Sequence, residues 1–490
     1  MELGNSSVRL VNLAAPSAPE SPTSTSSYGL KSGSLSPFQT LAQSIAVIAP
    51  TGAPVMTVPL VYALAGQGCA IAFLISTIGI LLVALNINQF ARMSASPGSL
   101  YTYITDHMHP RWGVLAGWAL LIAYIGTASA VSAGVANYAD VIFRDLFGLQ
   151  GFPLTLTALV TVVACFLAYR DIQISTRLML WLQAASVALI SVIAIGIIVK
   201  HGWRLDMGQL TLQGVTPQQL RLGLVLAIFS AVGFESATSL GSEARDPLIN
   251  IPRAVKWSAI LAGVFFFLCS YAEVLAFRGE TQTLSQNAAP LHVLARQLGL
   301  PPLIGTLTDL GAVVTFFACF LACITASARV LFLMGRHGAL HSELGQAHDE
   351  NQTPHRAVLL ASVAAFLPAA VMTLRGMNLF DIYGLIGTLA TFGFVTAYIL
   401  VSMAAPMYLR AQGRLTPQAI GISVLAVLAM CAALLGNLYP VPDAPYSYLP
   451  YIYAVLLLAG FGWSTVWSAR TPSFVPDIAA DLTVLPNETD

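Results

Sequence analysis

The chain has 490 residues, of which 56% are hydrophobic and only 9% charged, and its formal net charge at pH 7 is zero. Soluble domains carry about 25% charged residues, so a soluble enzyme or binding module is excluded, and a balanced charge gives no general pull toward nucleic acid. The apolar residues fall in runs of roughly twenty separated by short polar connections, the pattern of an all-α membrane protein that crosses the bilayer many times.

Hydropathy places about twelve spans, near residues 38–65, 68–92, 112–143, 153–170, 174–199, 217–241, 254–277, 303–334, 356–374, 380–409, 416–437 and 448–469. Residues 1–36 are rich in Ser, Pro and Thr and hold no apolar run, so they are expected to form a disordered tail. No basic segment precedes a short apolar one, which argues against a signal peptide.

The first span is long enough to cross, yet its middle reads Ala49-Pro50-Thr51-Gly52-Ala53-Pro54. Each proline removes a backbone donor and crowds the preceding turn. An unwound backbone is tolerated at membrane depth only where it is buried in protein or lines a polar cavity. The stretch therefore reads as a helix broken around a binding site. Pro97-Gly98 ends the second span, and a short interfacial helix is expected after it, with Tyr101 and Tyr103 as interfacial anchors or, alternatively, as gating residues. Inside the fifth span the polar residues are Gln183, Ser186 and Ser191.

The sixth span carries the second informative stretch. Gly233, Phe234, Glu235 and Ser236 interrupt an apolar run, and Glu235 puts a carboxyl group at membrane depth. Such a residue is expensive there and is read first as functional, with a protonated carboxyl bonded between helices as the plainer alternative. Five spans separate the two interruptions, so the halves face opposite ways across the membrane, the layout of an inverted-topology repeat. With the N-terminus placed in the cytoplasm, 15 of the 22 Lys and Arg fall on that side and 7 on the other, which supports both termini inside. All six cysteines lie in spans and are read as small apolar packing residues; no metal site is expected. Nucleotide-binding loops, paired-histidine metal motifs and nucleophile elbows are missing, so neither an enzyme nor a cofactor is expected.

At the sixth span the residues resemble a known family. Gly233-Phe-Glu-Ser-Ala-Thr-Ser-Leu-Gly-Ser-Glu-Ala-Arg-Asp-Pro-Leu-Ile-Asn-Ile-Pro-Arg253 is similar to the sixth-span signature of the amino acid–polyamine–organocation (APC) permeases. Three further stretches agree: Pro97–Tyr103 with Gly113–Trp118, Ala328–Gly338 with Thr353–Arg356, and Thr388–Phe394 with Ala405–Arg410. The matches run in order from about residue 38 to 470. The resemblance implies a five-plus-five inverted-repeat transporter fold with broken helices 1 and 6, a core over 37–409 made of repeats at about 37–200 and 217–409, two extra spans over 410–470, and a C-terminal tail over 471–490. It further implies secondary transport of amino acids or related amines. Many members carry a Gly-Ser-Gly-like sequence at the first break, and here the position reads Pro50-Thr51-Gly52-Ala53.

The expected site is therefore Ala49, Pro50, Thr51, Gly52 and Ala53 with Gly233, Phe234, Glu235 and Ser236. Backbone N–H groups near Thr51 to Ala53, at the positive end of a half-helix, would hold a substrate carboxylate. Carbonyls of Ile48, Ala49 and 231–234 would meet its amine, with Phe234 as a lid. Glu235 is the candidate proton carrier or amine partner. Sodium is the competing coupling ion, with Thr325 and Ser327 as candidate ligands unless they bond back to their own helix; the fifth-span lysine that replaces sodium in some relatives has no counterpart here. Glu243, Arg245 and Asp246 are candidate residues of a cytoplasmic gate, or else of a solvated turn. The expected partners are a small amino acid or amine and membrane lipids, with a monomer or homodimer in a plasma membrane, most simply a bacterial inner membrane. A polyamine or organic-cation transporter and a non-transporting membrane sensor are the alternative functions.

Overall fold

The computed structural model describes residues 33–468 apart from 149–151, 171–172, 204, 288, 349 and 440, and for 173–180 and 468 the backbone alone. The expected tails therefore lie outside the described residues except for 33–36. In chain order the helices are α1 (Pro37–Ile48), α2 (Val58–Ala65), α3 (Cys69–Ala91), α4 (Ser99–His107), α5 (Pro110–Phe147), α6 (Pro153–Arg170), α7 (Gln173–Lys200), α8 (Met207–Leu210), α9 (Pro217–Ala231), α10 (Pro247–Ala276), α11 (Pro290–Gln297), α12 (Pro302–Arg336), α13 (His355–Leu374), α14 (Leu379–Ala411), α15 (Pro417–Gly436) and α16 (Leu449–Ser468). The described residues contain no named strand.

Among the described residues, eleven stretches are long and apolar enough to cross a membrane. The first of them, Pro37–Ala91, turns back on itself at Gly66–Gly68. Its Leu60 lies against Gly384 near the start of α14, whereas its Phe90 stacks near Tyr408 toward the end of that helix. That stretch therefore crosses twice, and the described chain crosses twelve times, as hydropathy anticipates. Both chain ends of the described region lie on one side, called here the N-terminal face; the other is the far face.

Burial sorts the helices into two rings. In α5, α9, α10 and α14, 72–83% of the most apolar window is buried, against 22–39% in α6, α7, α13, α15 and α16. The outer group exposes Phe166, Val192, Leu367, Leu428 and Val455, side chains that suit lipid tails. The inner helices approach closely because small residues meet at their contacts. A Cβ on Gly393 of α14 would stand 2.4 Å from the Ala119 carbonyl oxygen of α5.

Helix α1 starts sharply. Ser36 caps it by accepting from the Gln39 N–H, the Gln39 side chain accepts from the Ser36 N–H, and Pro37 occupies the first turn. Just before it, Leu35 pairs in parallel with Ala244, accepting from the Arg245 N–H and donating to the Glu243 carbonyl. The described end of the N-terminal tail thus straps the loop that follows the sixth span. Helix α4 forms as expected, but Tyr101 and Tyr103 are buried rather than interfacial, and the Tyr101 hydroxyl meets His337 Nδ1 at 2.9 Å. Packing against α5 and α14 covers both tyrosine rings.

Candidate functional site

Two interruptions define the site, and they touch. Helix α1 ends at Ile48 with Ala49 in the left-handed region (φ 50°), and Gly52 donates to the Ala49 carbonyl at 2.8 Å across the turn. The chain then re-enters helix through a π-helical turn, Ala53–Thr57, which leads into α2. Pro54 falls in the first turn of this re-entry, where its missing N–H costs nothing. In the sixth span α9 stops at Ala231, and Val232 is extended. Gly233 takes φ 86°, and the chain resumes as a short 3-10 turn, Ser236–Leu240. Only glycine fits at 233 on two counts: the positive φ, and a Cβ that would lie 2.1 Å from Val47 Cγ1. The breaks are therefore in direct van der Waals contact.

Expected residues 49–53 and 233–236 are all buried and gathered here. The structure also shows what occupies them. Of the three N–H groups offered to a carboxylate, that of Gly52 is already engaged by Ala49. The Phe234 carbonyl accepts from Ser44 Oγ at 2.6 Å and from Ser258 Oγ at 3.3 Å, and Ser236 Oγ donates to the Gln43 carbonyl. The Val47 carbonyl, orphaned by the end of α1, accepts from Cys319 Sγ at 3.1 Å. The Ser44 and Ser236 hydroxyls thus brace the two breaks against each other, while Ser258 ties the sixth-span break to α10 and the Cys319 thiol ties the first to α12.

Glu235 is held at both oxygens. Tyr124 of α5 donates to Oε1 at 2.7 Å and Tyr398 of α14 donates to Oε2 at 2.6 Å. The Tyr398 oxygen in turn accepts from the Gly233 N–H at 3.2 Å, and its ring lies 5.4 Å from that of Phe234. A carboxylate with two short phenolic donors is a strong, directional junction. It ties the sixth-span break to α5 and α14 and takes up one acceptor position on each oxygen.

On the far-face side of the breaks a second aromatic layer closes the space. Phe316 of α12 packs on Gly52, where a Cβ would approach its ring to 2.5 Å, and its ring lies 5.6 Å from Tyr383 and 6.4 Å from Tyr138. Phe229 stands 5.6 Å from Tyr383, whose hydroxyl bonds Thr57 at 3.0 Å. Tyr383 and Tyr398 are fifteen residues apart on one helix, about 22 Å along its axis. The breaks thus sit between two aromatic floors.

Beside the first break lies a chain of hydroxyls. Thr51 Oγ1 meets Ser186 Oγ at 3.2 Å, and Thr315 Oγ1 meets Thr51 at 3.2 Å. Gln183, one turn before Ser186, is buried with both its side-chain oxygen and nitrogen unpartnered. Thr325 and Ser327 lie further along α12: Ser327 Oγ donates to its own helix at Ile324, and the Thr325 carbonyl accepts from Arg329. The eighth-span hydroxyl that reaches the break is Thr315. The fifth-span signal, Gln183 with Ser186, was visible in sequence; Thr315, Cys319, Phe316, Tyr124 and Tyr398 carried no signal beyond being polar or aromatic in an apolar run.

At the N-terminal face Glu243 and Arg329 form a bidentate, nearly buried ion pair, with Nε–Oε2 at 3.1 Å and Nη2 to both oxygens at 2.7 and 2.8 Å. Arg245 donates to the Gly33 carbonyl, and the Asp246 side chain enters no ion pair among the described residues. Of the three gate candidates, Glu243 alone bridges two spans. Asp145, His292 and Asp309 also bring donor atoms within 4.8 Å of one another near the far face, but His292 and Asp309 already complete a hydrogen bond of 2.6 Å.

The family model described as amino acid permease matches residues 35–469. The branched-chain amino acid permease BcaP of Bacillus subtilis (strain 168) is 24% identical over 404 residues, covering 76% of this chain and 81% of that protein. The low-affinity putrescine importer PlaP of Escherichia coli (strain K12) is 25% identical over 338 residues, covering 67% and 72%. Cationic amino acid transporter 4 of Mus musculus is 24% identical over 368 residues, covering 72% of this chain and 56% of that one. Among solved structures, a mutant of the Eremococcus coleocola manganese transporter superposes with a TM-score of 0.54 at 12% identity, over 90% of this chain and 94% of that one, which shows a shared fold. Two helix breaks in contact, twelve crossings and a match along nearly the whole described length lead to one assignment: the chain belongs to the amino acid permease family, as a multi-pass membrane transporter of the inverted-repeat APC fold.

Proposed function

We propose that this transporter carries a zwitterionic amino acid with an apolar side chain by alternating access, as a secondary active transporter. The observation that carries the reading is the pair of breaks in contact at Val47 and Gly233, enclosed between two aromatic floors and offering backbone groups without a free charge. A carboxylate fits the N–H groups of Thr51 and Ala53, helped by the dipole of the helix that starts there. An α-amine fits the carbonyls at the ends of α1 and α9. Phe234 and Phe316 supply apolar walls for the side chain.

A polyamine is the second reading, since one relative is named a putrescine importer. The engagement of Glu235 by two tyrosines weighs against it, because a dication would want free carboxylates at both ends. The N-terminal face is taken as cytoplasmic, on the excess of Lys and Arg there. In that orientation the buried Glu243–Arg329 pair closes the inside while substrate enters from the far face.

Uptake into proteoliposomes by a panel of neutral amino acids, basic amino acids and diamines, with proton and sodium gradients imposed separately, tests the reading. Competition and accumulation confined to neutral amino acids support it. Accumulation of diamines alone, or binding of amino acids with no flux or exchange in any gradient, refutes it.

A further inference from the structure

A second acid lies at membrane depth and has no role in the site above. Glu273 sits on α10 one turn before that helix ends at the far face, fully buried, and neither of its carboxyl oxygens has a hydrogen-bond partner. Glu235 shows what a satisfied buried carboxylate looks like in this protein, with a phenol on each oxygen; Glu273 has nothing comparable.

The charged groups around it are turned elsewhere. Arg278, five residues on, pairs with Asp206 at 2.6 Å and donates to Gln67 at 3.0 Å. On α11, Arg296 faces Glu280 and His292 faces Asp309 of α12; at the end of α7, Lys200 donates to the Gln297 carbonyl. The titratable groups within electrostatic reach are Cys269 on the same helix, Cys69 at the start of α3, and Tyr138 on α5, which Asp309 also acts upon. A bare carboxylate in such surroundings is among the costliest arrangements a protein interior can hold, and a proton on it removes that cost.

Two of those neighbours are donors, and both point at the second half of the broken first helix. Tyr138 donates to the Val55 carbonyl at 2.7 Å, inside the π turn, and Cys69 Sγ donates to the Val58 carbonyl at 3.7 Å. We propose that Glu273 is the proton-loading site of the transport cycle, and that its protonation fastens the far-face half of the first helix. The proposal rests on the reading of this chain as a secondary transporter and adds its coupling ion and the position of that ion. Protonated, the carboxyl leaves Tyr138 and Cys69 on Val55 and Val58, the closed arrangement seen here. When the O–H bond breaks and the proton leaves to water, the carboxylate competes for those two donors. Their release frees the two carbonyls and loosens the helix at its π turn. Loading reverses this: one proton comes from the far-face solution, one O–H bond forms, and no other covalent bond changes.

The test uses the full-length protein in proteoliposomes loaded with a pH-sensitive dye. With one proton per substrate, wild type accumulates substrate about tenfold for each unit of inward pH gradient. Glu273→Gln, which cannot exchange a proton, is expected to lose that accumulation and to admit substrate only down its own gradient, without acidifying the lumen. Tyr138→Phe keeps the acid but removes one competing donor, and is expected to keep proton-driven accumulation while shifting its pH midpoint. This second variant decides the matter should the first fail to fold. The proposal is overturned if Glu273→Gln accumulates and acidifies like wild type, if Tyr138→Phe leaves the midpoint in place, or if wild-type accumulation follows a sodium gradient alone. Failure of wild type to take up or exchange any amino acid or amine would instead overturn the transport reading beneath it.

Discussion

Removing single hydroxyls from the Glu235 junction separates its two tyrosines. Tyr124→Phe removes the bond to Oε1 at 2.7 Å and a contact with Ser99, whose hydroxyl keeps Thr238 as a partner at 2.6 Å, and a hydrogen bond to a charged group contributes about 1.5–3 kcal/mol. Tyr398→Phe removes the bond to Oε2 at 2.6 Å and also the acceptor of the Gly233 N–H, adding about 1–3 kcal/mol for a buried donor left unmet. Tyr398→Phe should therefore be the more damaging of two chemically identical changes. The double variant strips both oxygens of Glu235, so its effect should exceed the sum of the singles, by a coupling of about 0.5–3 kcal/mol for groups sharing one network. Because the junction positions the sixth-span break, part of this should appear as weaker substrate binding, about tenfold for each 1.4 kcal/mol. Thermal unfolding in detergent with and without substrate, together with the apparent affinity in exchange, measures both parts. Equal effects of the two single variants, or strictly additive ones, would show that Glu235 is not held as a two-point junction.

Three further outcomes follow from other contacts. Gly52→Ala puts a Cβ 2.5 Å from the Phe316 ring, an overpacking that costs about 1–3 kcal/mol; adding Phe316→Leu should restore most of the lost exchange activity, whereas no rescue would mean that Gly52 is needed for its backbone alone. Arg329→Ala takes the bidentate ion-pair partner from the nearly buried Glu243, which weakens the closed N-terminal face by up to about 3–5 kcal/mol; a cysteine placed on that side of α12 should label faster with a membrane-impermeant thiol reagent in inside-out vesicles, and an unchanged rate would remove the pair from the gate. His292, on a helix outside the spans, is held above its ordinary value of 6.5 by the hydrogen bond to Asp309, against the opposing effect of burial. Since its folded pKa is raised, this contribution is complete below about pH 6.5 and fades as pH rises through the folded value. The melting temperature of wild type minus that of His292→Gln should therefore shrink from pH 6 upward, and a difference that grows with pH would contradict the assignment.

The breaks were legible because proline and glycine act locally. Pro50, Gly52, Pro54 and Gly233 disrupt a helix whatever surrounds them, and their five-span separation predicts the inverted pairing that Val47 against Gly233 displays. The point where helix resumes, near Ala53, was legible for the same reason, but the π form of that turn was not; Pro54 lies in its first turn, where a missing N–H costs nothing. Nor was the contact of Thr315 with Thr51, since hydroxyls on one helix differ in rotation and depth, and these depend on how α12 seats against α7. Acids show the limit most clearly. Glu235 and Glu273 are both isolated carboxyls in apolar runs, and hydropathy treats them alike. Their difference lies in which donors other helices bring: α5 and α14 deliver two phenols to Glu235, while Tyr138, within electrostatic reach of Glu273, donates to Val55 instead. A buried acid that is already satisfied resists change and suits a fixed junction. An unsatisfied one lies in a delicate balance that a single proton can tip, which suits the moving part of a cycle. Membrane depth alone marks a carboxyl as worth attention, and its partners decide which of these two tasks it can perform.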